Sequence, residues 1–151
     1  MLKFNIDGAA QGNPGRAGGG GILRDHQRKF VLAFFKCFED GTNIEAECRT
    51  AAEALLICKQ MDIQGIILET DSQALLQMIK ENTCHQWKLQ RWWKTIQQER
   101  HRIIEVTHIY REGNHIADIL ANLAIDRKGE GVIQLWDALP REAKDALKLE
   151  Q

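Results

Sequence analysis

The sequence predicts an α/β domain built on a five-stranded mixed sheet, three antiparallel strands followed by two parallel ones, with helices on both faces. Three observations carry this reading. The chain opens with period-two alternation and short connections, as in an antiparallel meander. An apolar row at helical spacing then runs through residues 43–60. Beyond it, short apolar runs follow helical segments, the pattern of strands added in parallel to a buried neighbour.

Leu2, Phe4 and Ile6 alternate with Lys3, Asn5 and Asp7, so the first strand has an apolar face and ends at Asp7 on its polar side. A Gly-rich loop is expected next, leading into a second strand that closes at Arg24 after Gly18–Gly21. The turn Asp25–Arg28 hands over to a long apolar third strand, Phe30–Phe38. Ile44, Cys48, Ala51, Leu55 and Cys58 share one side of a helix over Asn43–Gln60. Ile66–Leu68 is wholly apolar and reads as a buried strand ending in Glu69-Thr70-Asp71. Helices over Ser72–Lys80 and Trp87–Arg102, a strand over Val106–Arg111 and a helix over His115–Arg127 complete the pattern, with Gly129 and Gly131 as stops. The tail carries Trp136, Leu139 and Pro140, then an amphipathic stretch over Arg141–Leu149. Residues 1–128 therefore read as the domain, and 129–151 as a C-terminal extension that packs on it or trails from it.

At 151 residues, 44% hydrophobic and 27% charged, the chain has the composition of an ordinary globular domain able to bury a core. No apolar run reaches the roughly 18 residues that a membrane helix requires, and with a strand pattern from Leu2 no signal or transit peptide is expected. Cys37, Cys48, Cys58 and Cys84 form no CxxC pair, so neither zinc nor a disulfide framework is expected, and a reducing intracellular setting fits. Nucleus and cytoplasm are not distinguished. The net charge of −1 excludes a polycation, so any nucleic-acid binding rests on a local patch and is salt-sensitive.

Four acids, Asp7, Glu47, Asp71 and Asp118, stand where elements start or stop. Ligands of open α/β sheets collect at strand carboxyl ends beside a topological switch, where Asp7 and Asp71 both fall. Glu47 lies in the row Glu47, Ala51, Ala54, Cys58 flanking the apolar face, and an inward carboxylate is costly without a partner such as a metal. Each acid also has a plainer role. Asp7 can stabilise a turn, Glu47 can reach to solvent at the rim, and Asp71 or Ser72 can cap the next helix. Asp118 lies off the core face marked by Ile116, Leu120 and Leu123, as a solvated first-turn aspartate does.

The phrases FNIDGAAQGNPG, TNIEAE, ETDSQ and REGNHIADILAN occur in that order between Leu2 and Arg127. Together they resemble the type 1 ribonuclease H domain, in particular its plant and retroelement-derived reverse-transcriptase-like branch. The resemblance implies a ribonuclease H-like fold and a metal-dependent endonuclease that cuts the RNA strand of RNA–DNA hybrids. It maps an acidic tetrad onto Asp7, Glu47, Asp71 and Asp118, holding two Mg²⁺ ions for which Mn²⁺ can substitute. Hard carboxylate oxygens suit that ion. One ion activates the attacking water and the other stabilises the leaving 3′ oxygen, about 3.5–4 Å apart, with Asp7 bridging.

The resemblance also implies a substrate-binding set. The Gly12-Asn13-Pro14-Gly15 loop meets the RNA minor groove, where backbone groups and Asn13 read 2′-hydroxyls. Asn43 contacts the DNA strand and Gln73 the RNA, and Ser72, Arg111 and Asn114 complete the set. Two departures stand out. Where bacterial members carry a loop histidine, this chain has a shorter loop with Arg111, flanked by His108 and His115. A guanidinium does not titrate near neutrality, so Arg111 is expected to contact phosphate, and turnover to be slower. The basic handle of many bacterial members is also absent, since only Asn82–Gln86 joins the middle helices. Lys88, Arg91 and Lys94 interleaved with Trp87, Trp92 and Trp93 form a smaller substitute, or else a solvated face above core tryptophans. The expected partner is an RNA–DNA hybrid, bound by a monomer without membrane contact. The alternatives are a non-catalytic nucleic-acid-binding or interaction module, and another nuclease on the same fold.

Overall fold

Six strands make up the sheet, one more than expected, in the order β5-β4-β1-β2-β3-β6. The computed structural model describes residues 1–150. β1 (Leu2–Gly12), β2 (Gly15–Arg24) and β3 (Phe30–Gly41) form the antiparallel meander. β4 (Ile66–Thr70) pairs parallel to β1, and β5 (Ile103–His108) parallel to β4. The sixth strand, β6 (Glu130–Ile133), lies antiparallel to β3 at the far edge. It escapes a reading by pattern because it has only four residues and carries Gly131.

β1 does not stop at Asp7. It continues to Gly12, paired with β2 at every step, and Asp7 faces Gly20 across the ladder. Gly8, Gly12 and Gly15, read as loop, are thus strand residues like Gly18–Gly21, although glycine is depleted in strands. Their neighbours explain it. A Cβ on Gly8 would collide with the Ala46–Glu47 backbone, and one on Gly20 would lie 2.6 Å from Leu120 Cβ. Two helices press directly onto the opposite faces of this hairpin, and only glycine leaves them room.

The first of these, α1 (Asn43–Gln60), starts at a reciprocal cap: the Thr42 hydroxyl accepts from Glu45 N–H, and the Glu45 carboxylate accepts from Thr42 N–H. α2 (Gln73–Glu81) is capped by Ser72, whose hydroxyl accepts from Leu75 N–H at 3.2 Å. α3 (Gln90–Glu99) is flanked by 3₁₀ turns at Trp87–Leu89 and Arg100–Arg102. These helices bury Cys48, Ala51, Leu55, Leu75, Ile79, Trp93 and Ile96 against Phe4, Ile6 and Phe34. On the other face, α4 (His115–Arg127) and α5 (Arg141–Glu150) close a second core of Ile22, Ala33, Ile116, Leu120, Ala143 and Leu147. Residues beyond 128 therefore contribute both a strand and a core helix, and Arg24 ties the end of α5 through Glu150 at 2.5 Å.

β5 begins three residues earlier than Val106 and ends at His108. Ile103 pairs with Ile66, while Glu105, which interrupts the apolar run, stands exposed on an edge strand where a charge costs little. Arg111 consequently leaves the strand for a 3₁₀ turn, Arg111–Asn114. No helix among the described residues is long and apolar enough to cross a membrane.

Candidate metal centre

The parallel pairing of β1 with β4 ends at Ile6 opposite Thr70, and the next residue of each chain segment is an aspartate, Asp7 and Asp71. Beyond this point β1 pairs only with β2, so the sheet parts at the switch between its parallel and antiparallel halves. Ser72, rather than Asp71, caps α2, which leaves the Asp71 carboxylate free to face the gap. α1 supplies the third acid. Its early turns lie against Gly8, whose N–H donates to Glu47 Oε1 at 3.1 Å.

Asp7, Glu47 and Asp71 each offer an oxygen, and these oxygens all lie within 4.8 Å of one another. Asp7 and Glu47 are buried and Asp71 is half-buried. Glu47 Oε2 has no hydrogen-bond partner although it is shut off from solvent. Burial, followed by the charges of Glu47, Asp71 and Asp118, pushes the Asp7 carboxyl up to about 10. Burial and the Asp71 charge push Glu47 up to about 8, against the opposing pull of the Gly8 N–H. Asp71 is raised by burial most of all, with the Arg111 guanidinium drawing it back down and Asp118 adding to the rise. Like charges crowded in a dry site resist ionising together. A divalent cation removes that penalty, and a group of hard carboxylate oxygens with one orphaned atom fits Mg²⁺.

Asp118 stands outside the compact trio. It is half-buried on α4, and its Oδ1 accepts from Asn122 Nδ2 at 3.1 Å. Its field still reaches Asp7 and Asp71.

An open cavity of about 500 Å³ lies over the acids. Among the residues expected to bind substrate, Asn43, Ser72 and Arg111 line it. Gly12 and Gly15 shape the β1–β2 turn, where Gly12 takes φ +111° and a side chain on Gly15 would strike the Gln11 carbonyl. Asn13 does not hang free: its Oδ1 accepts from Asn43 N–H at 3.0 Å, joining the turn to the start of α1. Gln73 is exposed in the first turn of α2.

Asn114 lies beneath the site. Its side chain is buried and donates to the Ile6 carbonyl at 2.8 Å, so it fastens the turn before α4 to β1. The tryptophans divide between the two readings: Trp93 is core, whereas Trp87 is 79% exposed beside Lys88, and Arg49 stacks between Phe38 and Trp92. His108 and Tyr110 also line the cavity over the acids. Pattern reasoning passed over Tyr110, whose one signal is being the sole tyrosine of the chain, next to Arg111.

Residues 5–124 match a family model described as reverse transcriptase-like. The chain is 30% identical over 135 residues to an Arabidopsis thaliana protein provisionally named a ribonuclease H protein; the match covers 82% of this chain and 20% of that relative. It is 34% identical over 145 residues to the ribonuclease H of Chromohalobacter salexigens, covering 83% of this chain and 84% of the relative. Among solved structures, LC11-RNase H1 in complex with an RNA/DNA hybrid shares the fold with a TM-score of 0.77 at 24% identity, over 85% of this chain and 99% of that one. This chain thus spans about a fifth of the plant relative and most of the bacterial one.

Proposed function

The chain belongs to the reverse transcriptase-like family with the ribonuclease H fold, and on that premise we propose that it is a ribonuclease H. It hydrolyses the RNA strand of RNA–DNA hybrids by a two-metal-ion mechanism, as a monomer, with Mg²⁺ the resident ion and Mn²⁺ a substitute. The observation that best supports this is the grouping of Asp7, Glu47 and Asp71 where β1 and β4 part, with Glu47 Oε2 buried and unpartnered.

Asp7, Glu47 and Asp71 would hold the metal, since their oxygens lie within 4.8 Å of one another. Asp118 would complete the set from α4. Bound Mg²⁺ supplies an acidified water and neutralises charge on the phosphate. The chain's own part is to position and to exclude. The Gly8 N–H and the packing of α1 fix Glu47. Ser72, by taking the capping role, keeps Asp71 out of it. Arg111, whose charge already opposes the rise of the Asp71 pKa, contacts a phosphate of the RNA strand. Asn13, its oxygen engaged by Asn43, presents Nδ2 to a 2′-hydroxyl in the minor groove, beside the backbone of Gly12 and Gly15. Asn43 meets the DNA strand, and Ser72 and Gln73 the RNA. Residues 129–150 complete the domain instead of trailing from it, a reading supported by the β6–β3 pairing and the burial of Leu147.

Incubation of the chain with a labelled RNA–DNA hybrid and Mg²⁺ tests the proposal. Cleavage of the RNA strand alone is expected, lost in Asp7→Asn and in Asp71→Asn. Cleavage that survives both substitutions overturns the metal assignment. Equal cleavage of a DNA duplex overturns the substrate. No cleavage, together with no Mg²⁺ binding by calorimetry at millimolar concentration, assigns the fold to a binding module.

A further inference from the structure

Tyr110 is the one large aromatic side chain at the mouth of the acidic cavity, and it is 78% exposed. A single exposed ring is ordinary on a protein surface; what singles this one out is its place beside the acids. Its surroundings hold it in place. Ile109 N–H donates to the Thr70 carbonyl at 3.0 Å, and Gly113 N–H donates to the Tyr110 carbonyl at 2.9 Å, so the backbone on either side is bonded. The His108 ring meets the Tyr110 ring edge to face, with centroids 5.4 Å apart and planes at 84°. The result is a small aromatic step, fixed to the end of β5, directly before Arg111.

A polyanion approaching this cavity meets carboxylates, and Arg111 is the single cation among the residues lining it. Charge alone therefore holds a strand poorly here. A neutral π-face is a contact that like-charge repulsion does not weaken, and a tyrosine loses little conformational freedom in making it. Adjacent residues can also divide a nucleotide between them, the guanidinium taking the phosphate and the ring the nucleoside beside it.

We propose that Tyr110, propped by His108, packs its ring against the nucleoside of the RNA strand that flanks the scissile phosphodiester, and so acts as a substrate-binding residue that is insensitive to salt. This rests on the hybrid-cutting reading above.

The test uses fluorescence anisotropy of a labelled RNA–DNA hybrid in Mg²⁺ across a series of NaCl concentrations. All variants carry Asp7→Asn, so that the substrate stays whole. Tyr110→Ala is expected to raise Kd about tenfold at every salt concentration and to leave the slope of log Kd on log salt unchanged. Tyr110→Phe restores most of the affinity. His108→Ala gives a smaller loss, because the ring is no longer propped. Arg111→Gln, by contrast, lowers the slope by about one. In the cleaving protein, Tyr110→Ala raises KM more than it lowers kcat. A Tyr110→Ala Kd within about twofold of the parent overturns the inference, and so does a loss that Phe fails to restore. If the Asp7→Asn parent binds a DNA duplex as well as the hybrid, the hybrid-cutting reading falls first and takes this one with it. A parent that prefers the hybrid while Tyr110→Ala makes no difference removes Tyr110 alone.

Discussion

Replacing Asp7 by Asn should make the metal-free protein more stable, although it destroys the proposed centre. The carboxyl of Asp7 is raised from 3.8 to about 10 in the folded chain. At pH 7.5 the folded state thus keeps a proton that the unfolded state has released. The sign follows from that. Stability is complete below about pH 4 and drains away as pH climbs toward the folded value, because the native state binds the extra proton. At about 1.4 kcal/mol per pH unit, the ceiling on the loss at pH 7.5 is about 5 kcal/mol. Relaxation and water entry return part of this, and an expected gain for Asp7→Asn of about 2 kcal/mol corresponds to a rise in Tm of about 4–8 °C in a domain of this size. Thermal unfolding in EDTA from pH 5 to 9 measures it. The native chain should lose Tm as pH rises, and Asp7→Asn should start higher and fall less steeply. Mg²⁺ at ten times its Kd should restore about 1.4 kcal/mol to the native chain and nothing to the variant. A variant that melts below the native chain in EDTA at pH 7.5, or a native Tm that climbs with pH, would refute the reasoning.

Three further outcomes follow from contacts described above. Ser72→Ala removes the α2 cap and should cost about 1 kcal/mol in denaturant unfolding, with a larger fractional loss of Mg²⁺ affinity because Asp71 becomes the available cap. Asn114→Ala deletes the bond to the Ile6 carbonyl, one residue from Asp7, and should cost about 1 kcal/mol while kcat on a hybrid falls about tenfold. Leu147→Ala, in the helix that closes the second core, should cost about 2–5 kcal/mol by urea titration; a cost under about 0.5 kcal/mol would mean that residues 129–150 trail from the domain.

What the sequence disclosed and what it concealed divide along physical lines. α1 was legible because its apolar row is long, a local signal; its Thr42–Glu45 cap came only with the structure. The three antiparallel and two parallel strands of the expected sheet are present, with β6 added at the edge. Glu47 stood out by its apolar neighbours, and the structure indeed turns it inward beside Asp7 and Asp71. The continuation of β1 past Asp7 was hidden because the reason for its glycine is the approach of a helix from elsewhere in the chain, which no local window contains. β6 was too short to show a period, and β5 was displaced because an exposed Glu105 on an edge strand looks like an interruption. The burial of Asn114 and its bond to the Ile6 carbonyl were not legible, since a polar residue in a motif says nothing about its surroundings. Tyr110 has no pattern at all: its interest comes only from what surrounds it in space.

The glycines of the central hairpin have a bearing on how variation in this chain should be interpreted. At Gly8 and Gly20 the sheet presents bare backbone to two helices at once, and even one added carbon has nowhere to go. A deep mutational scan should therefore find positions as intolerant as the acids yet devoid of reactivity. Intolerance at the acids should appear as loss of cleavage with the protein still abundant, whereas at Gly20 the protein itself should disappear from the cell. Measuring abundance beside activity separates the two kinds of constraint.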